Sequence, residues 1–340
     1  MALTAFRPLQ THHCVTGSLR HVYEYHGCPI SEDLLLGLGE GVGFVYWHMK
    51  GTLPFLGGRA RVGRPGEDSM ELVAGRRTGV QVESFYTASA RKAENSMLDL
   101  LAAGEPVMVQ VDMGYLPYLG LPEGYHFGGH LIVVAGYDSA AGEVLVADRD
   151  GLLHPLALAD LARARGSQCK PFPPRNAWLA FDFTRRRAPE PQEVREAIRA
   201  AARAMLQPPI SNLGVEGIRK AAERIAEWPA ALAPEELRYA CFYAFIFIDH
   251  KGGTGGGLFR YMYGRFLQEA AALTGEGSLA EIGDEFREIG DRWQEVAQDF
   301  LGAQAAPQPA PMLSEVAAQV RRIAELEEPA WREVLGIVGT

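Results

Sequence analysis

The chain has 340 residues, 47% of them hydrophobic and 22% charged, with a formal net charge of -9. This is a globular composition, the length exceeds one compact core and predicts two domains, and the acidic balance argues against nucleic acid as a partner. No apolar run approaches the roughly 18 residues a membrane span needs and the N-terminus lacks a signal-peptide layout, so a cytoplasmic protein with no membrane partner is expected.

Cys14, Cys28, Cys169 and Cys241 show no CxxC spacing. Free thiols are therefore expected, in place of a zinc knuckle or a disulfide framework. Cys14 stands apart because apolar periodicity begins directly after it, at Leu19, Val22, Tyr23 and His26, and Gly27 supplies a stop. That pattern puts Cys14 at the start of a helix, where unsatisfied backbone N–H groups and the helix dipole favour thiolate.

A second short helix is expected from Ser31, a plausible N-cap with Glu32 and Asp33 in its first turn. Gly37 to Tyr46 is glycine-rich but follows a helix and leads into strand-like residues, so a tight turn is the better reading than a phosphate cradle. Arg59 to Arg64 reads as a solvated loop, 67–77 as a helix, 80–86 as a strand and 88–103 as a helix closed by Gly104. Strands are expected at 106–112, 129–138 and 143–148, the last two as an antiparallel hairpin. A helix over 156–165 and a strand over 176–183 complete an α+β domain, helices packed on an antiparallel sheet.

Arg185 to Pro191 breaks composition with a charge run and two prolines, and the domains are drawn there as 1–186 and 187–340. The second is mostly α-helical, with an apolar face at Val194, Ile198, Ala201, Ala202 and Met205. Residues 302–311 read as a linker before a terminal helix starting near Ser314, and the apolar helix 239–248 as core in preference to an interface.

His130 opens one strand of the hairpin after two glycines, and Asp148 closes the other. In an antiparallel pair those ends are adjacent, so imidazole and carboxylate can serve Cys14 as base and orienting group. Asp138 and Asp150 are alternative carboxylates. A rival metal site would draw on His12, His13, His126, His130 and Cys14. His126 and His130 are four apart but lie in a loop and on a strand, without the helical face that gives this interval meaning, so no metal is expected.

His13-Cys14, Tyr25-His26-Gly27, Ser31-Glu32, Gly37 to Gly41, Phe44, Tyr46, Gly129-His130 and Asp148 together resemble the N-terminal domain of the butirosin-biosynthesis acyltransferase family. Gly252 to Tyr263 is similar to its helical companion, so the resemblance spans nearly the whole chain; Val15 stands where an acidic residue often follows the cysteine. The resemblance implies a papain-like cysteine-enzyme domain and transfer of an acyl group from a carrier-protein thioester to a small-molecule amine in natural-product (antibiotic) biosynthesis. Cys14 is then the nucleophile, His130 the base and Asp148 the third member of a catalytic triad. The donor is an acyl or peptidyl carrier protein bearing the phosphopantetheine, and no cofactor is bound by this chain.

The backbone N–H of Cys14, and Gln10 as a second donor, are candidates for the oxyanion. Tyr46, Gly255, Gly256 and Arg260 are candidate substrate contacts, the 252–257 glycine run being read as a lid, an approach path or a plain hinge. Arg185 to Arg187, Arg199, Arg203, Arg219 and Lys220 are candidates for carrier docking. Two other readings stay open: a peptidase or amidase using the same trio, and a non-catalytic binding protein of the same fold.

Overall fold

The computed structural model describes residues 3–62, 68–170 and 172–339. From the N-terminus the chain forms α1 (Cys14–Tyr25), α2 (Glu32–Leu38), β1 (Val42–Trp47) and β2 (Phe55–Arg59). Then come α3 (Met70–Arg77), β3 (Gln81–Phe85), α4 (Ala90–Ala102), β4 (Val107–Val111), β5 (His130–Asp138) and β6 (Glu143–Ala147). After β7 (Leu153–Ala157), α5 (Leu158–Gly166) and β8 (Trp178–Asp182) the chain is helical: α6 (Pro191–Leu206), α7 (Gly214–Ala231), α8 (Pro234–Ile248), α9 (Arg260–Thr274), α10 (Ser278–Ala305) and α11 (Ala310–Val338). Among the described residues, no helix is long and apolar enough to cross a membrane.

Two compact units result, one of residues 1–35 and 63–188, the other of 36–62 and 189–340. The division at Ala188/Pro189 follows the proline-bearing charge run. Residues 36–62, which the sequence reading keeps with the first domain, cluster with the helical unit instead, because β1 and β2 pack on its helices.

The first unit is α+β. Its six strands form an antiparallel sheet in the order β3-β8-β4-β5-β6-β7. Val107, Val109, Val111, Ile132, Val134, Val144 and Val146 bury their side chains together with Met97 and Leu101 of α4 and Leu161 of α5. Each such side chain contributes about 1.5–3 kcal/mol. Helix α1 buries Leu19, Val22 and Tyr23 and is fixed to β5 by Ser18 Oγ, which donates to the Leu131 carbonyl at 3.2 Å. The hairpin pairs Val133 with Ala147, so the start of β5 lies beside the end of β6.

Three expectations are corrected. Strand β7 occupies 153–157, so the helix expected from Leu156 begins two residues later. His154 and Pro155 obscure the strand, and proline is tolerated there because β7 is an edge. Most of the supposed linker at 302–311 is helix, since α10 continues to Ala305 and α11 starts at Ala310: Ala and Gln are good helix formers, and only Pro307 and Pro309 interrupt. The helix expected over 67–77 covers Met70–Arg77, with residue 67 outside the described residues. Ser31 does cap α2, accepting from Leu34 N at 2.9 Å.

In the helical unit the β1–β2 hairpin (Tyr46 opposite Leu56) lies among helices whose core includes Trp228, Trp293, Trp331 and Phe286. A buried ion pair sits inside it. Arg260 donates Nε and Nη2 to the two carboxylate oxygens of Glu327, both at 2.8 Å, and the indoles of Trp293 and Trp331 donate to the same carboxylate at 2.9 and 3.0 Å.

Candidate active site

Cys14 is the first residue of α1, with His13 as its N-cap in extended conformation. His13 Nδ1 accepts from Thr16 N, which satisfies one of the helix's open donors. The approach to this turn is tightly held. Glu32 accepts from His12 N at 2.8 Å, His13 N at 3.2 Å and Thr16 Oγ1 at 3.0 Å. His21, on the next turns of α1, accepts from Leu9 N at 2.9 Å through Nε2 and donates Nδ1–H to the Gly17 carbonyl at 2.8 Å. Gly17 lets the loop come this close: a Cβ there would meet Thr11 Oγ1 at 2.3 Å.

His130 opens β5 and Asp148 follows β6, and the hairpin register brings them into contact, Nε2 to Oδ2 at 2.7 Å with both side chains buried. The bond commits Nε2–H to the carboxylate and leaves Nδ1 for the sulfur side. The Cys14 sulfur has side-chain hydrogen bonds to both His13 and His130. Burial pushes the thiol up, but the charges and hydrogen bonds of His13 and then His130 outweigh it, and the thiol lies well below its ordinary range.

Burial likewise opposes charge on His130, yet Asp148 and the Cys14 thiolate raise its pKa to about 9. Burial raises Asp148 as well, and His130 more than offsets it, so the carboxyl is lowered. The shifts of Cys14 and His130 both favour thiolate beside imidazolium. The open alternatives for the carboxylate are resolved by position: Asp150 pairs with His154 at 2.9 Å and Asp138 caps its own turn.

Gln10 forms a bridge with Asp150, and Thr11 N donates to the Arg149 carbonyl at 2.9 Å, so the loop before Cys14 runs beside the strand end that carries Asp148. Three residues here escape sequence reasoning. Tyr118 donates its hydroxyl to Asp148 Oδ2 at 3.1 Å and stacks on His154 with ring centroids 4.2 Å apart. Glu32 and His13 complete the surroundings of the thiol. Of these Tyr118 left no signal, whereas His13 and Glu32 stand in the runs that carry the family resemblance, His13 immediately before the cysteine.

The remaining candidates lie elsewhere. His126 meets Asp112 (Nδ1 to Oδ2, 2.9 Å) and Cys169, whose potential ligand atoms all fall within 4.8 Å of one another. Asp112 also accepts from Ser167 Oγ, Gly114 N and Phe127 N, so the cluster is a carboxylate-centred network that pins the loop leading to His130.

In the helical unit, Arg260 has no exposed surface, and its guanidinium is occupied by Glu327 and the carbonyls of Gly43 and Leu258. It holds the core together and exposes no surface for a substrate to touch. Tyr46 is buried and its oxygen accepts from Trp228 Nε1 at 3.1 Å. Gly255 and Gly256 take φ of +69° and +81° in a loop fastened through Thr254 Oγ1 to the carbonyls of Ile248 and Asp249. A Cβ on Gly257 would meet the Gly290 backbone at 2.7 Å, so the glycines serve close packing in a fastened loop, which does not fit the lid reading.

Two family models match the chain. Residues 13–149 match the family described as butirosin biosynthesis protein H, N-terminal, and residues 159–334, just over half the chain, match a domain of unknown function, DUF4872. No curated protein matches it. The first match opens on His13 and closes on Arg149, and so encloses Cys14, His130 and Asp148. The chain therefore belongs to the family that joins a butirosin-biosynthesis-protein-H N-terminal domain to a DUF4872 domain.

Proposed function

We propose that the protein is a cysteine-dependent acyltransferase of natural-product biosynthesis, with a papain-like first unit, that moves an acyl group from a thioester to an amine through a Cys14 acyl-enzyme. The observation that carries this reading is the Cys14 thiol, held well below its ordinary range between two imidazoles, one of them anchored by Asp148 at 2.7 Å. A structural cysteine needs no such surroundings. Membership of a family named for butirosin biosynthesis supports the biosynthetic setting.

The Cys14 thiolate adds to the thioester carbonyl and forms a tetrahedral oxyanion, which the Cys14 backbone N–H and a donor such as Gln10 stabilise. Collapse breaks the bond to the donor sulfur, and His130 imidazolium gives that sulfur its proton. One thioester replaces another at little cost in free energy. An amine then attacks the acyl-enzyme, neutral His130 accepts the amine proton, and the carbon–sulfur bond breaks to give amide and Cys14 thiolate. Asp148 stays ionised throughout and holds the ring, with Tyr118 donating to the same oxygen. The donor is a carrier protein presenting its acyl group on phosphopantetheine, and the acceptor a small-molecule amine.

Intact-mass spectrometry after mixing with an acyl-phosphopantetheine donor tests this. The expected result is one acyl adduct, lost in Cys14→Ala and discharged to an added amine as amide. Discharge to water alone would replace the transferase with a hydrolase, and the absence of an adduct with every thioester or peptide tried would leave a binding protein.

A further inference from the structure

Within the helical unit, β1, the segment before α7 and one face of α7 enclose a cavity of about 370 Å3. That is large enough for a small organic molecule. Tyr46 and Trp228 form its buried floor, and Lys220, Arg224 and Glu227 form one wall on successive turns of α7, with His48 at the rim.

The donors here outnumber the acceptors. An indole N–H can only donate, so the Tyr46 oxygen is the acceptor of the Trp228 bond, and the phenolic hydrogen of this buried side chain has no acceptor among the described residues. Lys220 is half-buried and its hydrogen-bond partners are two neutral oxygens, Asn212 Oδ1 at 2.7 Å and Ser211 Oγ at 3.3 Å; among the described residues no carboxylate pairs with it. Its position is fixed, because Asn212 is locked to Tyr46 by reciprocal bonds, Tyr46 N to Asn212 O at 2.9 Å and Asn212 Nδ2 to Tyr46 O at 2.7 Å. Arg224 spends one N–H on Glu227 at 2.7 Å, with Glu223 also nearby, so Arg224 is partly neutralised and Lys220 is the uncompensated charge. On a chain of net charge -9, this is a locally cationic pocket with three kinds of donor converging on one space.

We propose that this cavity binds an organic phosphate, with the phosphate oxygens accepting from Tyr46 Oη, Lys220 Nζ and the free N–H groups of Arg224, and the organic part filling the remaining volume. A phosphate suits the site because it supplies acceptors only, carries the charge Lys220 lacks, and presents several oxygens to donors arriving from different directions. A bare ion would leave most of the cavity unfilled. The phosphate has two possible sources, a free phosphorylated small molecule or the phosphodiester of a donor's phosphopantetheine arm. Only the second source rests on the acyltransferase reading.

Isothermal titration calorimetry at low ionic strength, on the full chain, compares 4′-phosphopantetheine, pantetheine, glycerol 3-phosphate and glutarate. The expected result is that 4′-phosphopantetheine or glycerol 3-phosphate binds at least about tenfold more tightly than pantetheine and glutarate. Binding falls by about tenfold in Lys220→Met and in Tyr46→Phe, and is unchanged in Cys14→Ala. A preference for 4′-phosphopantetheine over glycerol 3-phosphate assigns the carrier arm; equal or reversed preference assigns a free phosphate. Pantetheine binding as tightly as its phosphate, glutarate binding as tightly as the phosphates, no heat with any phosphate, or full affinity in Lys220→Met would overturn the proposal. Because Lys220 is half-exposed and bonds only neutral groups, that variant stays folded and informative even if Tyr46→Phe does not. Absence of any Cys14 acyl adduct in the parent protein with phosphate binding intact would sink the acyltransferase reading alone.

Discussion

The pH dependence of Cys14 alkylation is the most direct test of the site. Iodoacetamide reacts with thiolate, and an ordinary thiol of pKa about 8.5 is about 1% thiolate at pH 6.5 and gains about tenfold in rate per pH unit until it titrates. In this protein burial opposes ionisation, yet His13 and His130 hold the thiol well below its ordinary range. The expected profile is flat between pH 6.5 and 8. Slope, rather than absolute rate, is the quantity to read, because a lower pKa also makes the thiolate a weaker nucleophile.

The two imidazoles act on the same sulfur but not in the same way. His13 is the largest influence lowering the thiol, ahead of either interaction with His130. His13→Asn keeps an acceptor for Thr16 N, so the helix cap survives, and it is expected to restore more of the pH slope than His130→Gln does. Acyl transfer should show the opposite order, since His130 alone is bonded to Asp148 and moves the protons. The double variant should return to about tenfold per pH unit, and because burial alone raises the thiol, its thiolate fraction at pH 6.5 should lie at least about 100-fold below the parent's. The helix N-terminus cannot replace the imidazoles: its effect of about 0.3–1 kcal/mol is less than one pH unit. Peptide mapping separates Cys14 from Cys28 and Cys169, which are also partly exposed. A parent profile that already climbs tenfold per unit, or one indifferent to both substitutions, would refute the account of an activated thiol.

Four further outcomes are expected. Acyl transfer should fall on the basic side near pH 9: a pKa raised to about 9 keeps His130 protonated below that point, and above it the leaving sulfur loses its proton donor, which a rate profile reads directly. Tyr118→Phe removes the second donor to Asp148 Oδ2 and should lower kcat by about 3–10-fold with KM little changed, in line with loss of one hydrogen bond of about 1 kcal/mol. Glu32→Ala unfastens His12 N, His13 N and Thr16 Oγ1 together and should cost about 2–4 kcal/mol in urea denaturation, with the flat alkylation profile lost as the turn loosens. Arg260→Met strands the buried Glu327 charge and should destabilise the helical unit by about 3–5 kcal/mol, while Cys14 alkylation at pH 7 in the folded protein stays as it was.

Whether a feature could be read from the sequence depended on how far apart its partners lie along the chain. The helix that begins at Cys14 and the β5–β6 hairpin announce themselves through periodicity and turn residues within a dozen positions, and the adjacency of His130 and Asp148 follows from the hairpin alone. β7 was hidden by Pro155, since a proline in five residues outweighs strand propensity until the fold reveals that the strand is an edge. Tyr118 reaches Asp148 across 30 residues, and Arg260 reaches Glu327 across 67. Nothing local distinguishes either from an ordinary loop tyrosine or helix arginine. Arg260 is instructive because its glycine-rich neighbourhood suggested a lid, an approach path or a hinge, whereas Gly257 lets the backbone pack against Gly290 and Gly252 lets it pack against Ile246. A residue whose chemistry is intrinsic, such as a thiol at a helix start, can be assigned a role from its type and place. A residue whose role is conferred by its partner, as Glu32 is by the three donors it gathers or Lys220 by the neutral oxygens of Ser211 and Asn212, acquires that role only when the fold decides who stands beside it.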